Sequence, residues 1–434
     1  MQDDVVPKVL VLCGLFLGCL AATAVGPAKA EEDLWNVVED GVVVLDVRYR
    51  FEFVDQDAKA EDARANTLRT RVGYRSGTFH GVGLVFDFEW TEGLGAEDFN
   101  NTINGKTQFP VVADPDDAAV NQLYVVADNT IPYTKLKFGR QRVIWDNHRF
   151  IGSVGFRQNE QTFDAVRLST SLLQDTEIEY IYLNRVHRIF GRGSPVGRLG
   201  MKSHGIRAQY TGLDFLTITP FALFLDYDQI SESVGSSASF GMLLDGSYPL
   251  DDDWTLLYTG SFAYQEDYAD NPADFELWYY SVAPGLSYGP LNVRLGYEFL
   301  QGNGMSAFQT PLATLHKFNG LTDQFLTTPP DGLEDFSVSA AAKVADDGWL
   351  SGLVVRGGYH EFFAENTDSH YGREWDIGVF KTFATSVGDV MVGVQFANYD
   401  ADEFSTDTRK LWVTTHFKLA AFPLGELANV SSEN

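Results

Sequence analysis

From Val43 to Phe53 the chain alternates: Val43, Leu45, Val47, Tyr49, Phe51 and Phe53 are apolar, while Asp46, Arg48, Arg50 and Glu52 stand between them. Successive side chains of a strand point to opposite faces, so this segment has one greasy face and one charged face. About eighteen such stretches recur as far as Phe422, with aromatic residues at their ends and with connections that are alternately short and long. An apolar outer band, aromatic girdles and a polar interior are the signature of a transmembrane antiparallel β-barrel. The pattern therefore predicts an all-β barrel of about 18 strands over residues 31–422, at roughly 22 residues per strand and connection. Beyond the N-terminus no run approaches the ~18 apolar residues of a membrane helix, so any crossing must be made by strands.

The predicted strands begin with 43–54, 67–76 and 79–90 and end with 389–399 and 409–422. Connections after even-numbered strands are short, as at Ser76-Gly77-Thr78, Thr211–Asp214 and Gly289-Pro290. Those after odd-numbered strands include the long 91–119, 143–162, 185–202 and 302–334. In outer-membrane barrels short turns face the periplasm and long loops face outward, which places both termini in the periplasm of a Gram-negative cell. The 302–334 loop, with Pro311, Pro329 and Pro330, has the length to fold inward and narrow a pore.

The first 30 residues read as a secretory signal: Lys8, an apolar run from Val9, then Ala28-Lys29-Ala30 before Glu31. Cys13 and Cys19 both lie inside it, so the mature chain needs no disulfide framework. Residues 423–434 read as a C-terminal extension. The net charge of −28 and a pI of 4.5 exclude a nucleic-acid partner. The positive charges are unevenly spread, since 21 Lys and Arg lie between Glu31 and Tyr227 and only 9 follow.

By strand parity Arg48, Arg50, Arg69, Arg71 and Arg75 share the inward face. Lys135, Lys137, Arg167 and Arg207 extend the set, with Arg140 and Arg142 at a loop edge and Arg294 and Arg356 isolated in the second half near Asp245, Glu298 and Asp376. Forked guanidinium donors match carboxylates, and a ladder of them lets an anion pass from site to site. The competing reading pairs these arginines with Asp46, Glu52, Asp87 and Glu89 to hold the wall together, and the two readings are compatible. The segment Asn184-Arg185-Val186-His187-Arg188 with Arg192 and Arg198 makes a basic external loop, suited first to lipid and lipopolysaccharide phosphate at the outer leaflet and next to the exit of cargo.

Asp114-Pro115-Asp116-Asp117 and Asp251-Asp252-Asp253 lack the spacing of a calcium loop and read as solvated acidic turns. The histidines show no paired metal spacing, and no cofactor motif is present. Asn147-His148 with Ser153 has residue types of nucleophilic catalysis but none of its motif context, so no enzyme is expected.

Two segments carry a family resemblance. Phe138-Gly139-Arg140-Gln141-Arg142, continuing through Asp146–Gly152 to Phe156–Ala165, resembles the alginate-export family of outer-membrane porins, as does Phe308–Gly320 with Phe325–Pro329. The resemblance implies an eighteen-stranded barrel whose basic lumen passes an acidic polysaccharide, with periplasmic export partners possible. The best-known exporter has a long periplasmic loop near its last strands, whereas the matching turn here spans only Ala384 to Gly388. A passive, monomeric channel follows as the expectation. An uptake porin for small anionic sugars or organic acids is the alternative within transport, and a closed structural or adhesion barrel is the alternative outside it.

Overall fold

The computed structural model describes residues 37–229, 235–345, 348–419 and 422–423. The signal segment 1–30, its cleavage position and the extension beyond Pro423 lie outside the described residues. Eighteen antiparallel strands follow one another around a closed wall. The first nine are β1 (Val42–Gln56), β2 (Ala63–Arg75), β3 (Val82–Gly93), β4 (Asp117–Ile131), β5 (Thr134–Gln141), β6 (Thr162–Leu173), β7 (Thr176–His187), β8 (Arg198–Leu213) and β9 (Leu216–Leu225). The second nine are β10 (Ser237–Pro249), β11 (Trp254–Asp267), β12 (Glu276–Tyr288), β13 (Leu291–Leu300), β14 (Leu333–Lys343), β15 (Val354–Phe363), β16 (His370–Thr385), β17 (Gly388–Ala401) and β18 (Thr408–Leu419).

Each strand pairs with the next, and β18 returns to β1 with Lys418 opposite Asp46 and Thr408 opposite Gln56. Phe422 and Pro423 prolong this seam opposite Val43 and Val42. Closure leaves no open edge, which is what lets strands cross a bilayer with every backbone group paired. The expected strand count and parity hold: Val72, Phe138, Ile206 and Val282 are exposed on the outer face, while Arg48, Arg69, Arg71 and Glu89 are buried on the inner one.

Several strands start earlier than expected. β2 begins at Ala63 because Ala63 and Ala65 pack inward against Phe99 and Val112. β8 begins at Arg198 because Leu199 and Met201 continue the alternation.

Near the long loops the inward face also becomes apolar. Leu223, Leu277, Tyr279, Leu300, Leu333, Phe362 and Tyr399 are buried there. Two loops fold back into the lumen and cover them: Trp145, Phe150 and Ile151 from the 142–161 loop, and Phe308, Leu312 and Phe325 from the 301–332 loop. At about 1.5–3 kcal/mol per buried large apolar side chain, this cluster gives the loops a core of their own. The Phe150 ring lies 4.3 Å from Phe221 and the Tyr279 ring 5.3 Å from Phe308, both measured between centroids.

Candidate functional site: the loop-filled lumen

Arg48 and Arg50 of β1 and Arg69, Arg71 and Arg75 of β2 face inward, as parity predicts, but they are engaged. Arg48 donates Nε to Gln158 Oε1 (2.9 Å), Nη1 to the Gly155 carbonyl (2.7 Å) and Nη2 to the Arg157 carbonyl. Arg50 lies over the Phe156 ring at 4.0 Å. Both therefore grip the 142–161 loop. Arg69 pairs with Asp46, which also contacts His416 (2.8 Å). Arg75 forks onto Asp87 at 2.7 and 2.9 Å. Arg71 bonds Glu89 and, at 2.9 Å, Glu160 from the same loop.

Farther round the wall the pattern continues. Arg142 reaches Glu160 (2.7 Å), Arg167 reaches Glu179 (2.5 Å), Arg207 reaches Asp146 (2.7 Å) and Lys135 reaches Asp128 (2.7 Å). Arg140 stands at the long-loop end with Asp164 (2.8 Å) and His187. Just before it Gly139 takes φ 125°, where a Cβ would lie 2.4 Å from the Leu123 carbonyl oxygen. That conformation is open chiefly to glycine.

Three other predicted residues differ. Lys137, Arg294 and Arg356 take part in no ion pair among the described residues. Lys137 sits 5.3 Å from the Tyr124 ring, Arg294 donates to the Ala283 carbonyl (3.3 Å) and Arg356 lies 4.6 Å from the Phe380 ring.

The deepest contacts involve residues outside the predicted set. Arg157, nearly fully buried, bonds Glu52 (2.9 Å) and Asp323 (3.2 Å) and lies 3.7 Å from Asp114. Asp323 also accepts from Lys410 (2.8 Å) and His316 Nδ1 (2.6 Å). The His316 ring stacks on Phe156 with centroids 3.6 Å apart, and Gln161 donates to the Leu312 carbonyl at 2.9 Å. The two loops therefore meet inside the barrel and are tied to β1 and β18 at one point.

Burial alone would raise the Asp323 carboxyl, but His316, Lys410 and Arg157 outweigh it and hold it well below the usual carboxylate range. Burial is likewise outweighed at Glu160, where Arg71 and Arg142 lower the carboxyl to about 2. Lys410 was visible by parity, since Thr408, Lys410, Trp412 and Thr414 share the buried face of β18. The partners of Arg157 come from segments far apart in the chain, and no local pattern announces them.

On the far side of this junction, toward the short turns, two cavities open. One, of about 440 Å³, is lined by Lys135, Lys137, Arg167, Asp128 and Glu177. The other, of about 310 Å³, brings Arg294 and Arg356 together with Lys317, His360 and Asp376. Lys317, exposed, donates to the Asn147 carbonyl at 3.0 Å and makes no ion pair among the described residues. On the long-loop side a third chamber of about 470 Å³ lies between the loops and the ends of β1 and β18.

The acidic turn at Asp114 is not solvated. Asp114 is fully buried and accepts the Gln158 backbone N–H at 2.7 Å. Asp251 instead caps its own turn, accepting from the backbone N–H groups of Asp253 and Trp254. His148 sits 3.2 Å from Thr314 Oγ1, and Asn147 accepts the Arg149 N–H, so both side chains serve the fold of the loop. Among the described residues no three His, Cys, Asp or Glu side chains gather as a metal site.

Residues 42–303, more than half of the chain and including the first of the gripping loops, match the family model described as alginate export. The chain belongs to the alginate-export family. This family member, a closed barrel of the outer-membrane type, is a transport channel and not an enzyme. No curated protein sequence matches it.

Among solved structures, this alginate-export barrel is similar to OpdO of Pseudomonas aeruginosa (15% identity, TM-score 0.68, 90% of this chain and 99% of that one). It is also similar to P. aeruginosa OpdK, solved with vanillate (14% identity, TM-score 0.68, 89% and 100% covered). OccAB1 of Acinetobacter baumannii is a third (16% identity, TM-score 0.67, 89% and 98% covered). At such identities the likeness is one of fold.

Proposed function

We propose that the barrel is a passive, anion-preferring channel for small carboxylate-bearing solutes, sugar acids foremost, with the long loops outside and both termini in the periplasm. The observation that carries this reading is the cavity of about 310 Å³ where Arg294, Arg356 and Lys317 converge, none of them in an ion pair among the described residues, against the single lining carboxylate Asp376. Unpaired cations on a lumen wall attract anions without trapping them, and the volume falls in the range of small-molecule sites. OpdK, of similar fold, was solved with vanillate, a carboxylate. The meeting of the two loops narrows the lumen, which favours monomers or short oligomers over a wide polymer.

A second reading, export of an acidic polysaccharide with periplasmic partners, draws support from the family model. It requires the polymer to thread the junction or the loops to part. We further propose a monomer whose basic 185–198 segment meets lipopolysaccharide phosphate, although Arg192 there already bonds Asp117 at 2.9 Å.

The test is a planar-bilayer recording of the purified protein under a KCl gradient and then with glucuronate as the only anion. A reversal potential displaced toward the anion, with measurable glucuronate current, is expected. Cation preference would overturn the reading, and absence of any current would favour a closed barrel. Orientation is tested separately by protease sites at Gly105 and Gly289, both in open space. On intact cells only the Gly105 site should be cut, and cutting at both would end the assigned topology.

A further inference from the structure

The chamber of about 470 Å³ at the long-loop mouth differs in character from the two cavities toward the short turns. Its rim is apolar and open: Val111 and Leu326 are each 44% exposed, and Phe190 is half-buried beside them. Its floor is charged and buried, where Arg157 and Lys410 converge on Asp323 at 3.2 and 2.8 Å. Arg188 also lines the chamber, so three cationic side chains, Arg157, Arg188 and Lys410, stand against the one lining carboxylate, Asp323, with Glu52 and Asp114 behind Arg157. The chamber lining therefore keeps an excess of positive charge.

Apolar side chains left exposed at a watery mouth mark a surface meant to be covered. A bare sugar acid suits this rim poorly, because valine, leucine and phenylalanine leave its hydroxyl groups unpaired once water is displaced. An apolar body with one anionic group satisfies both halves of the chamber, and most small-molecule sites combine apolar walls with a few placed polar groups.

We propose that this chamber is a binding site for carboxylates with an apolar body, aromatic or short-chain aliphatic acids, and that it selects them before they reach the polar cavities beyond. The proposal rests on the channel reading and adds a solute class to it.

The test compares three probes added to the long-loop side of the reconstituted full-length protein: benzoate, glucuronate and the neutral benzamide. Benzoate should block the KCl current at about tenfold lower concentration than either of the others, the order expected when one apolar ring and one charge both count. Leu326→Asp, and independently Val111→Asp, should bring benzoate and glucuronate together. Equal block by benzoate and glucuronate in the wild type overturns the site, as does equal block by benzoate and benzamide.

Anion preference in KCl, read on the same membranes, reports on the channel reading alone. A preparation that prefers anions yet does not distinguish the probes refutes the chamber and spares the channel. If no current flows, equilibrium dialysis of the protein in lipid nanodiscs with radiolabelled benzoate against unlabelled glucuronate decides the site. Competition at equal concentrations would then refute it.

Discussion

The wall built by β1 to β3 and the wall built by β13 to β16 both carry inward cations, yet they differ in what those cations are free to do. In the first, Arg69, Arg71 and Arg75 each have a carboxylate partner, and Arg48 and Arg50 hold the 142–161 loop. In the second, Arg294 and Arg356 are few, accessible and without an ion-pair partner among the described residues. Density of positive charge and capacity for a diffusing anion are thus separate properties. A guanidinium already forked onto Asp87 offers a passing solute little, whereas a sparse one facing a cavity offers its full field.

The largest effect should come from Arg157→Ala, which removes the ion-pair partner of Glu52 and Asp114 among the described residues and one of three basic partners of Asp323. Breaking a buried pair by removing one partner costs about 3–5 kcal/mol, and here the loss falls on the seating of the loops. Proteolysis of the 142–161 loop on purified protein and an enlarged, noisier conductance should both appear, whereas Arg294→Ala should leave the loop protected. An equally protected loop in both variants would remove the distinction between gripping and free cations.

Next in size is a pair of charge reversals. Arg69→Glu with Arg71→Glu sets new carboxylates against Asp46, Glu89 and Glu160, so the yield of heat-modifiable barrel should fall. Arg294→Glu with Arg356→Glu should assemble normally and shift the reversal potential toward the cation. That shift should shrink in 1 M salt, where the screening length is about 3 Å. A selectivity change from the first pair in a fully assembled barrel would show that the paired arginines also serve the passing anion.

A smaller effect is expected from acid. Glu160 has its carboxyl lowered from 4.5 to about 2, so its contribution is fully present above the ordinary value and is lost as the pH falls through the folded one. Loop protection should therefore be flat from pH 8 to about 5 and fail only in strong acid as Glu160 protonates. Failure near pH 6 would assign the hold to other groups. The smallest change should be Lys317→Gln, a modest loss of anion preference with loop protection intact, read from the same reversal potentials.

The strand pattern was legible almost throughout, because a lipid-facing alternation is local and repeats along each strand. The 142–161 loop was not. Its anchors join residues such as Arg48 and Gln158 or Glu52 and Arg157, which are distant in sequence and meet only once the sheet has closed. The apolar inward residues Leu277, Tyr279 and Phe362 hint at an internal cluster, since a water-filled lumen would have polar residues there. Parity placed Arg48, Arg50, Arg69, Arg71 and Arg75 on the inner face of β1 and β2, but it could not say which would find partners, and Lys410 on β18, open to the same reading, is not in that set. That depends on where the loops come to rest.

The same loops have a consequence for the seam between the first and last strands. Phe156 packs on Arg50 of β1 and edge-on to Trp412 of β18, while Arg157 and Asp323 link Glu52 of β1 to Lys410 of β18. Residues made midway through synthesis thus clasp the two strands made first and last. The clasp can fasten only after the ring of strands is complete, and once fastened the ring cannot be unzipped at that line without first drawing the clasp out.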